Sequence, residues 1–98
     1  MRTRDNLHSV AGAVNADGGI RAPGTNDWVV SRTAAGIYTI TFLKPFKLAP
    51  VGSLVGILYQ FASMNGLTST FAVVNGFNPG NSAAADAYFY FIITGILL

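Results

Sequence analysis

The sequence predicts an all-β fold, an antiparallel β-sandwich or jelly roll of about seven strands, on three observations. Turn-forming residues, eleven glycines foremost, interrupt the chain roughly every ten residues, too often for a helical period to develop. The segments between these breaks are rich in β-branched and aromatic residues, and several alternate apolar with polar side chains, the period of a strand. Charge is also unevenly spread: from Leu48 to Leu98 only Asp86 is formally charged, while residues 1–47 hold the other nine charges.

That closing stretch must be hidden from water by a bilayer or by protein. A spanning helix needs about 20 consecutive apolar residues, and Gln60, Asn65, Thr68, Asn75, Asn78, Pro79 and Asn81 break the run. Its longest clean piece, Ala87 to Leu98, is too short and reads Tyr-Phe-Tyr-Phe-Ile-Ile-Thr, which suits a strand buried on both faces. No membrane insertion is expected.

The elements follow in order. Val10 to Val14 is small and apolar and runs into Asn15-Ala16-Asp17-Gly18-Gly19, a turn signal; Ile20 to Ala22 is a short strand ending at Pro23-Gly24. Trp28 to Arg32 and Ile37 to Phe42 form the next pair. In the latter, Tyr38, Ile40 and Phe42 face one way and Ile37, Thr39 and Thr41 the other, a half-buried strand. Two prolines make Lys44 to Pro50 a crossing loop. Ser53 to Phe61 is apolar on both faces, and Asn65-Gly66 predicts a hairpin to Thr68–Asn75. The loop from Gly76 to Ser82 leads to the last strand, where Tyr88, Tyr90, Ile92 and Thr94 alternate with Phe89, Phe91 and Ile93.

A 98-residue chain of 10.3 kDa makes one domain that would expose about 5,400 Å² as a monomer. A charged fraction of 10% is low for that surface and predicts that part of it is an interface between subunits. Val55, Ile57, Tyr59 and Phe61, with Tyr88, Phe89, Tyr90 and Phe91, are the residues expected to line the axis of a symmetric homo-oligomer. The chain has no cysteine, so disulfides and thiolate metal sites are excluded. Its basic residues are scattered without a clustered face, which argues against nucleic-acid binding. The polar start, Met-Arg-Thr-Arg-Asp-Asn, is followed by no signal-peptide core. Residues 1–15 read as a lead-in and 16–98 as the sandwich.

Several of these segments carry a resemblance. The order Asn-Asp-Trp-Val-Val-Ser-Arg, Gly-Ile-Tyr-Thr-Ile-Thr-Phe, Pro-Phe, Pro-Val and a closing Phe-Tyr-Phe-Ile-Ile-Thr-Gly-Ile resembles the C-terminal tip domains of bacteriophage tail fibres. It is also similar to a shortened form of the trimeric jelly rolls of the C1q and tumour-necrosis-factor type, at Gly36, Tyr38 and Phe42 and at Phe89 and Phe91. The resemblance spans roughly Asn26 to Ile96. It implies a homotrimer in the virion, extracellular when acting, with Asn6 to Val14 joining a fibre shaft. The tip would bind a bacterial surface polysaccharide or outer-membrane component for host attachment. The chain lacks the His-x-His motif of some fibre tips, so axial iron is not implied.

The ionisable inventory is thin, and no catalytic residue, metal or cofactor is expected. His8 lies in the polar lead-in and reads as a solvated tail residue. Asp27 and Asp86 would serve a glycosidase only if they met within about 5–9.5 Å; each also has an ordinary role at a strand entrance. Trp28 reads as core or rim packing. Binding residues are sought on loops, where amides suit uncharged sugars: Met64 and Asn65 at the expected hairpin tip, Phe77, Asn78 and Asn81 in the long loop, and Asp86 beside it. Turn chemistry alone also accounts for these residues. Two other functions remain open, a structural trimerisation or decoration domain with no external ligand, and a small polysaccharide-degrading tailspike fragment.

Overall fold

The computed structural model describes residues 7–22, 24–58, 61–77, 85–86 and 88–97. Eight strands occur among them: β1 (Leu7–Val14), β2 (Ile20–Ala22), β3 (Trp28–Ala34), β4 (Ile37–Phe42), β5 (Val51–Leu58), β6 (Phe61–Leu67), β7 (Phe71–Phe77) and β8 (Tyr88–Ile96). They form two antiparallel four-stranded sheets, ordered β2-β1-β8-β5 and β3-β4-β7-β6, packed as the expected β-sandwich.

Opposed residues of neighbouring strands share a face, so strand register decides the core. Pairing of Val10 with Ile93, Gly12 with Phe91 and Val14 with Phe89 sends these residues inward. Tyr38 with Val74 and Ile40 with Ala72 do the same from the other sheet. Aromatic rings join the layers edge to face: Trp28 on Phe91 at 4.9 Å and Tyr38 on Phe89 at 5.3 Å between centroids. The Tyr38 hydroxyl donates to the Ala16 carbonyl at 2.7 Å, so its polar tip is satisfied despite full burial of the residue.

The two ends of the sandwich differ. One, the far end, gathers the β1–β2 and β3–β4 turns with Ala85 and Asp86, through the Tyr38–Ala16 bond and the bond from Ala85 N to Gly76 O. At the near end β1 begins beside the close of β8, with Leu7 opposite Ile96. The loop from Leu43 to Pro50 crosses between the sheets here, as its prolines predict. Phe46 anchors it in the core, edge to face with Phe42 at 5.2 Å, and its backbone N–H reaches Ser69 O at 2.8 Å.

Three expectations need correction. The segment Leu7–Val14 is an inner strand paired along β8, so it belongs to the sandwich and a boundary at residue 15 falls inside a sheet. The apolar run beginning at Ser53 is not one strand: it divides into β5 of one sheet and β6 of the other. Asn65-Gly66 is not a hairpin tip. Pairing passes from Met64–Val74 directly to Gly66–Val73, which leaves Asn65 as the extra residue of a β-bulge. The turn forms at Thr68 instead, whose hydroxyl accepts from the backbone N–H groups of Thr70 and Phe71 at 3.2 and 3.1 Å.

Gly12 is required by close approach. A Cβ there would lie 2.2 Å from Cζ2 of Trp28 and 2.9 Å from the Ala22 carbonyl oxygen. Gly12→Ala is expected to destabilise the domain by about 1–3 kcal/mol, the scale of an overpacked core. Trp28→Phe removes the offending ring atom, so in that background the glycine substitution should cost less. Equal costs in both backgrounds, by urea denaturation, would assign the clash to the Ala22 carbonyl.

Candidate functional site

The β1–β8 register that fills the core also defines an outward face. Leu7 lies beside Ile96, Ser9 beside Thr94, Ala11 beside Ile92 and Ala13 beside Tyr90. β5 extends two of these rows, with Val51 next to Thr94 and Ser53 next to Ile92. None of these side chains is charged. The large apolar ones are left open to solvent: Val51 73%, Leu7 55%, Ile92 39%, Tyr90 38% and Ile96 37% exposed.

Two adjoining shallow grooves, of about 220 and 240 Å³, follow the β5–β8 seam, the first walled by Lys47, Leu48, Pro50, Val51 and Ile96 and the second by Ser53, Ile92 and Thr94. Within the face, Ser9 Oγ and Thr94 Oγ1 share a hydrogen bond of 2.9 Å. At the rim the Arg21 guanidinium stands 4.7 Å from the centroid of the Tyr88 ring, a cation–π contact. The other sheet differs, since Ser31, Thr39 and Thr41 interrupt its outward rows.

Edges are poor alternatives for contact. β3, β5 and β6 each carry a register shift, and the fourth edge strand, β2, is three residues long. Bulges and short strands twist or remove the backbone groups that an added strand would use.

Two carboxylates hold opposite ends of the sandwich. At the near end Asp27 Oδ1 accepts from Thr25 Oγ1 at 2.6 Å and Oδ2 is hydrogen-bonded to His8 Nε2, while the Asp27 carbonyl accepts from Leu43 N at 2.8 Å. Partial burial raises the Asp27 pKa, but the bonds from Thr25 and His8 outweigh it and the net shift is downward. At the far end Asp86 Oδ1 accepts from Arg32 Nε at 2.9 Å and from Gly36 N at 2.8 Å. These two bonds, Arg32 first, lower its pKa. Gly36 has φ of +75°, a conformation that a side chain would strain.

These placements revise the expected sites. His8 is not a solvated tail residue, because β1 carries it into the sandwich against Asp27. Asp27 precedes β3 whereas Asp86 sits on Arg32 toward the strand's other end, on the order of 15 Å away at the usual strand rise. They are not a paired acid and base. Phe89 and Phe91 are buried inside one chain, so they have no surface to offer a partner; Tyr88 and Tyr90 lie on the outward side of β8.

Tyr59 and the side chains of Val55, Ile57 and Phe61 lie outside the described residues, as do Asn78 and Asn81. Met64 packs on the core from within β6 and Asn65 is at the bulge, so neither is on a loop. Phe77, half-buried at the close of β7, and Asp86 are brought to the same end. Trp28 is buried, as expected.

The outward residues Leu7, Ser9, Ala11, Val51, Ile92 and Ile96 were not singled out by sequence. The signal available was the small, alternating Ser9-Val10-Ala11-Gly12-Ala13 stretch, which suits a strand flanked on both sides. Among the described residues no three His, Cys, Asp or Glu side chains converge, and no helix is long and apolar enough to cross a membrane. Comparison with protein families, curated proteins and solved structures finds no match.

A folded-state pKa below the ordinary 3.8 means that Asp27 contributes stability above that value and loses it as pH falls through the depressed one. Asp27→Asn is therefore expected to cost about 1–3 kcal/mol at neutral pH, and the gap from wild type should narrow as acid titrates the carboxyl. A gap independent of pH between neutral and strongly acidic melts would show that the carboxylate charge contributes nothing.

Proposed function

We propose that this domain is a homotrimeric, non-enzymatic attachment module, the receptor-binding tip of a bacteriophage tail fibre. It would assemble through the outward face of the β2-β1-β8-β5 sheet. A bacterial surface glycan or outer-membrane component would be met at the far end. The observation that carries the reading is the uncharged apolar face of β1, β8 and β5 beside blunted sheet edges. Contiguous apolar surface of this kind marks an interaction site on a soluble protein. A second copy suits it because β1, β8 and β5 bring no charge to meet themselves, Arg21 and Lys47 standing at the rim, and each buried Å² of apolar surface stabilises by about 25 cal/mol.

The three-fold symmetry and the receptor class follow from the resemblance to tail-fibre tips and C1q-type jelly rolls. The separation of Asp27 from Asp86 supports passive binding over cleavage by that pair. Asp86 acts as a clamp, fixing the segment before β8 to the β3–β4 turn, so that neighbouring connections are presented from a rigid base.

Light scattering on the purified chain at micromolar concentration is expected to give three chains per particle. Ile92→Asp, which places a charge in the face, should give a folded monomer by circular dichroism. A monomeric wild type would overturn the assembly. On an array of bacterial capsular polysaccharides and lipopolysaccharides the trimer should bind saturably to at least one glycan, without releasing sugar. Absence of binding to glycans and to outer-membrane preparations would leave a trimerisation domain alone, and sugar release would identify an enzyme.

A further inference from the structure

We propose that the Ser9–Thr94 hydroxyl pair lies beside the symmetry axis of the assembly and sets its register by hydrogen bonding to the same pair in neighbouring copies. This rests on self-association through the outward face. The pair occupies β1 and β8, the two inner strands, not the rim. The row on one side of it is Leu7 and Ile96, the row on the other is Ala11 and Ile92, and Val51 flanks Thr94. Its neighbours in these rows on β1 and β8 are apolar, and the next hydroxyl on the face is Ser53, at the β5 edge of the Ile92 row.

Its hydrogen-bond inventory is incomplete. Each hydroxyl has one donor hydrogen and two acceptor positions. The bond of 2.9 Å between Ser9 Oγ and Thr94 Oγ1 uses one of the two donors, and leaves the other, with several lone pairs, to solvent in the single chain. Both residues are half-exposed, so water reaches them. Covering the face removes that water, and a hydroxyl buried without a partner is costly. No charged side chain stands on β1, β8 or β5 to fill the place; the nearest, Lys47, belongs to the crossing loop and lines the groove beside Thr94. A rotation axis beside the pair supplies the missing partner: the free donor of each copy meets an acceptor of the next, and the cycle closes with no donor left over.

Such a pair adds little attraction and much discrimination. Sliding one copy along β8 by two residues, about 6.6 Å, would set the hydroxyls against Leu7 and Ile96, which offer no partner, or against Ala11 and Ile92, where the only hydroxyl is that of Ser53 at the β5 edge. A single polar position in an apolar seam fixes register and stoichiometry in this way elsewhere, at a small cost in stability.

The chain has no cysteine, so Thr94→Cys introduces its sole thiol. Under mild oxidation of the whole assembled chain, T94C is expected to form disulfide-linked pairs. About two-thirds of chains should be captured, because a three-fold axis leaves one thiol of every three over. Thr33→Cys, on the edge of the other sheet, should not cross-link. The near-isosteric Thr94→Val combined with Ser9→Ala should keep the fold by circular dichroism but replace one particle mass by several. A monomeric parent chain overturns the assembly and this inference together. An assembled parent whose T94C chains stay reduced overturns the axis alone, as does preferential coupling of T94C to Ser53→Cys chains. A double variant with one unchanged mass overturns the role in register.

Discussion

The unbroken ladder between β1 and β8 is the constraint on which the rest of this structure depends. It joins the first and last strands at the centre of one sheet and fixes, residue by residue, which side chains face inward. Phe89, Phe91 and Ile93 enter the core because Val14, Gly12 and Val10 oppose them. The small size of Gly12 then lets the Trp28 indole descend onto β1 and meet Phe91 edge to face. The same register turns Tyr90, Ile92 and Thr94 outward. Core and face are thus two consequences of one pairing, and a one-residue slip would exchange them. Because the partners lie at opposite ends of the sequence, this ladder closes a long loop, a topology associated with slow folding.

Regularity is confined to the inner pairs. β1–β8 and β4–β7 run without a register shift, whereas the pairings of β2, β3, β5 and β6 each contain one. Every one of those four is an edge strand. Bulges at edges hinder the addition of foreign strands, so the irregularities protect the sheet from the least specific form of association. Association through a face remains open, and there side-chain shape and hydrogen bonding decide which contacts are made.

The sequence makes parts of this legible for definable reasons. Ile37 to Phe42 is read correctly because two of its three outward positions, Thr39 and Thr41, are threonines, which break the ambiguity of an apolar run. Lys44 to Pro50 is read correctly because two prolines forbid a central strand. The division of the run from Val51 to Leu67 is not legible: both faces are apolar, and the Asn65-Gly66 signal outweighs the Thr68 turn that actually reverses the chain. β8 presents the same difficulty, as Phe89 and Tyr90 are equally suited to a core until β1 supplies its partner residues. The His8–Asp27 contact lies beyond local pattern altogether, since it depends on β1 and the segment before β3 converging at the near end.

The scarcity of charge takes its meaning from placement. Among the described residues every formally charged side chain sits in a turn or loop or on the edge strands β2 and β3: Asp17, Arg21, Asp27, Arg32, Lys44, Lys47 and Asp86. Two of them do structural work. Asp27 joins β1 to the chain leaving β4 through His8 and the Leu43 N–H, and Asp86 ties the approach to β8 onto the β3–β4 turn. At the ends of a sandwich such groups hold connections while remaining partly hydrated: burial is the largest single influence on Asp27 but its hydrogen bonds together outweigh it, and for Asp86 burial ranks behind the bonds from Arg32 and Gly36. On the outward face of β1, β8 and β5 the same charges would each need a partner once water was excluded. The described charges thus keep to the turns, loops and edges, where Asp27, Asp86 and Arg32 tie the two ends, and leave between them a face whose only described side-chain hydrogen bond is the one joining Ser9 to Thr94.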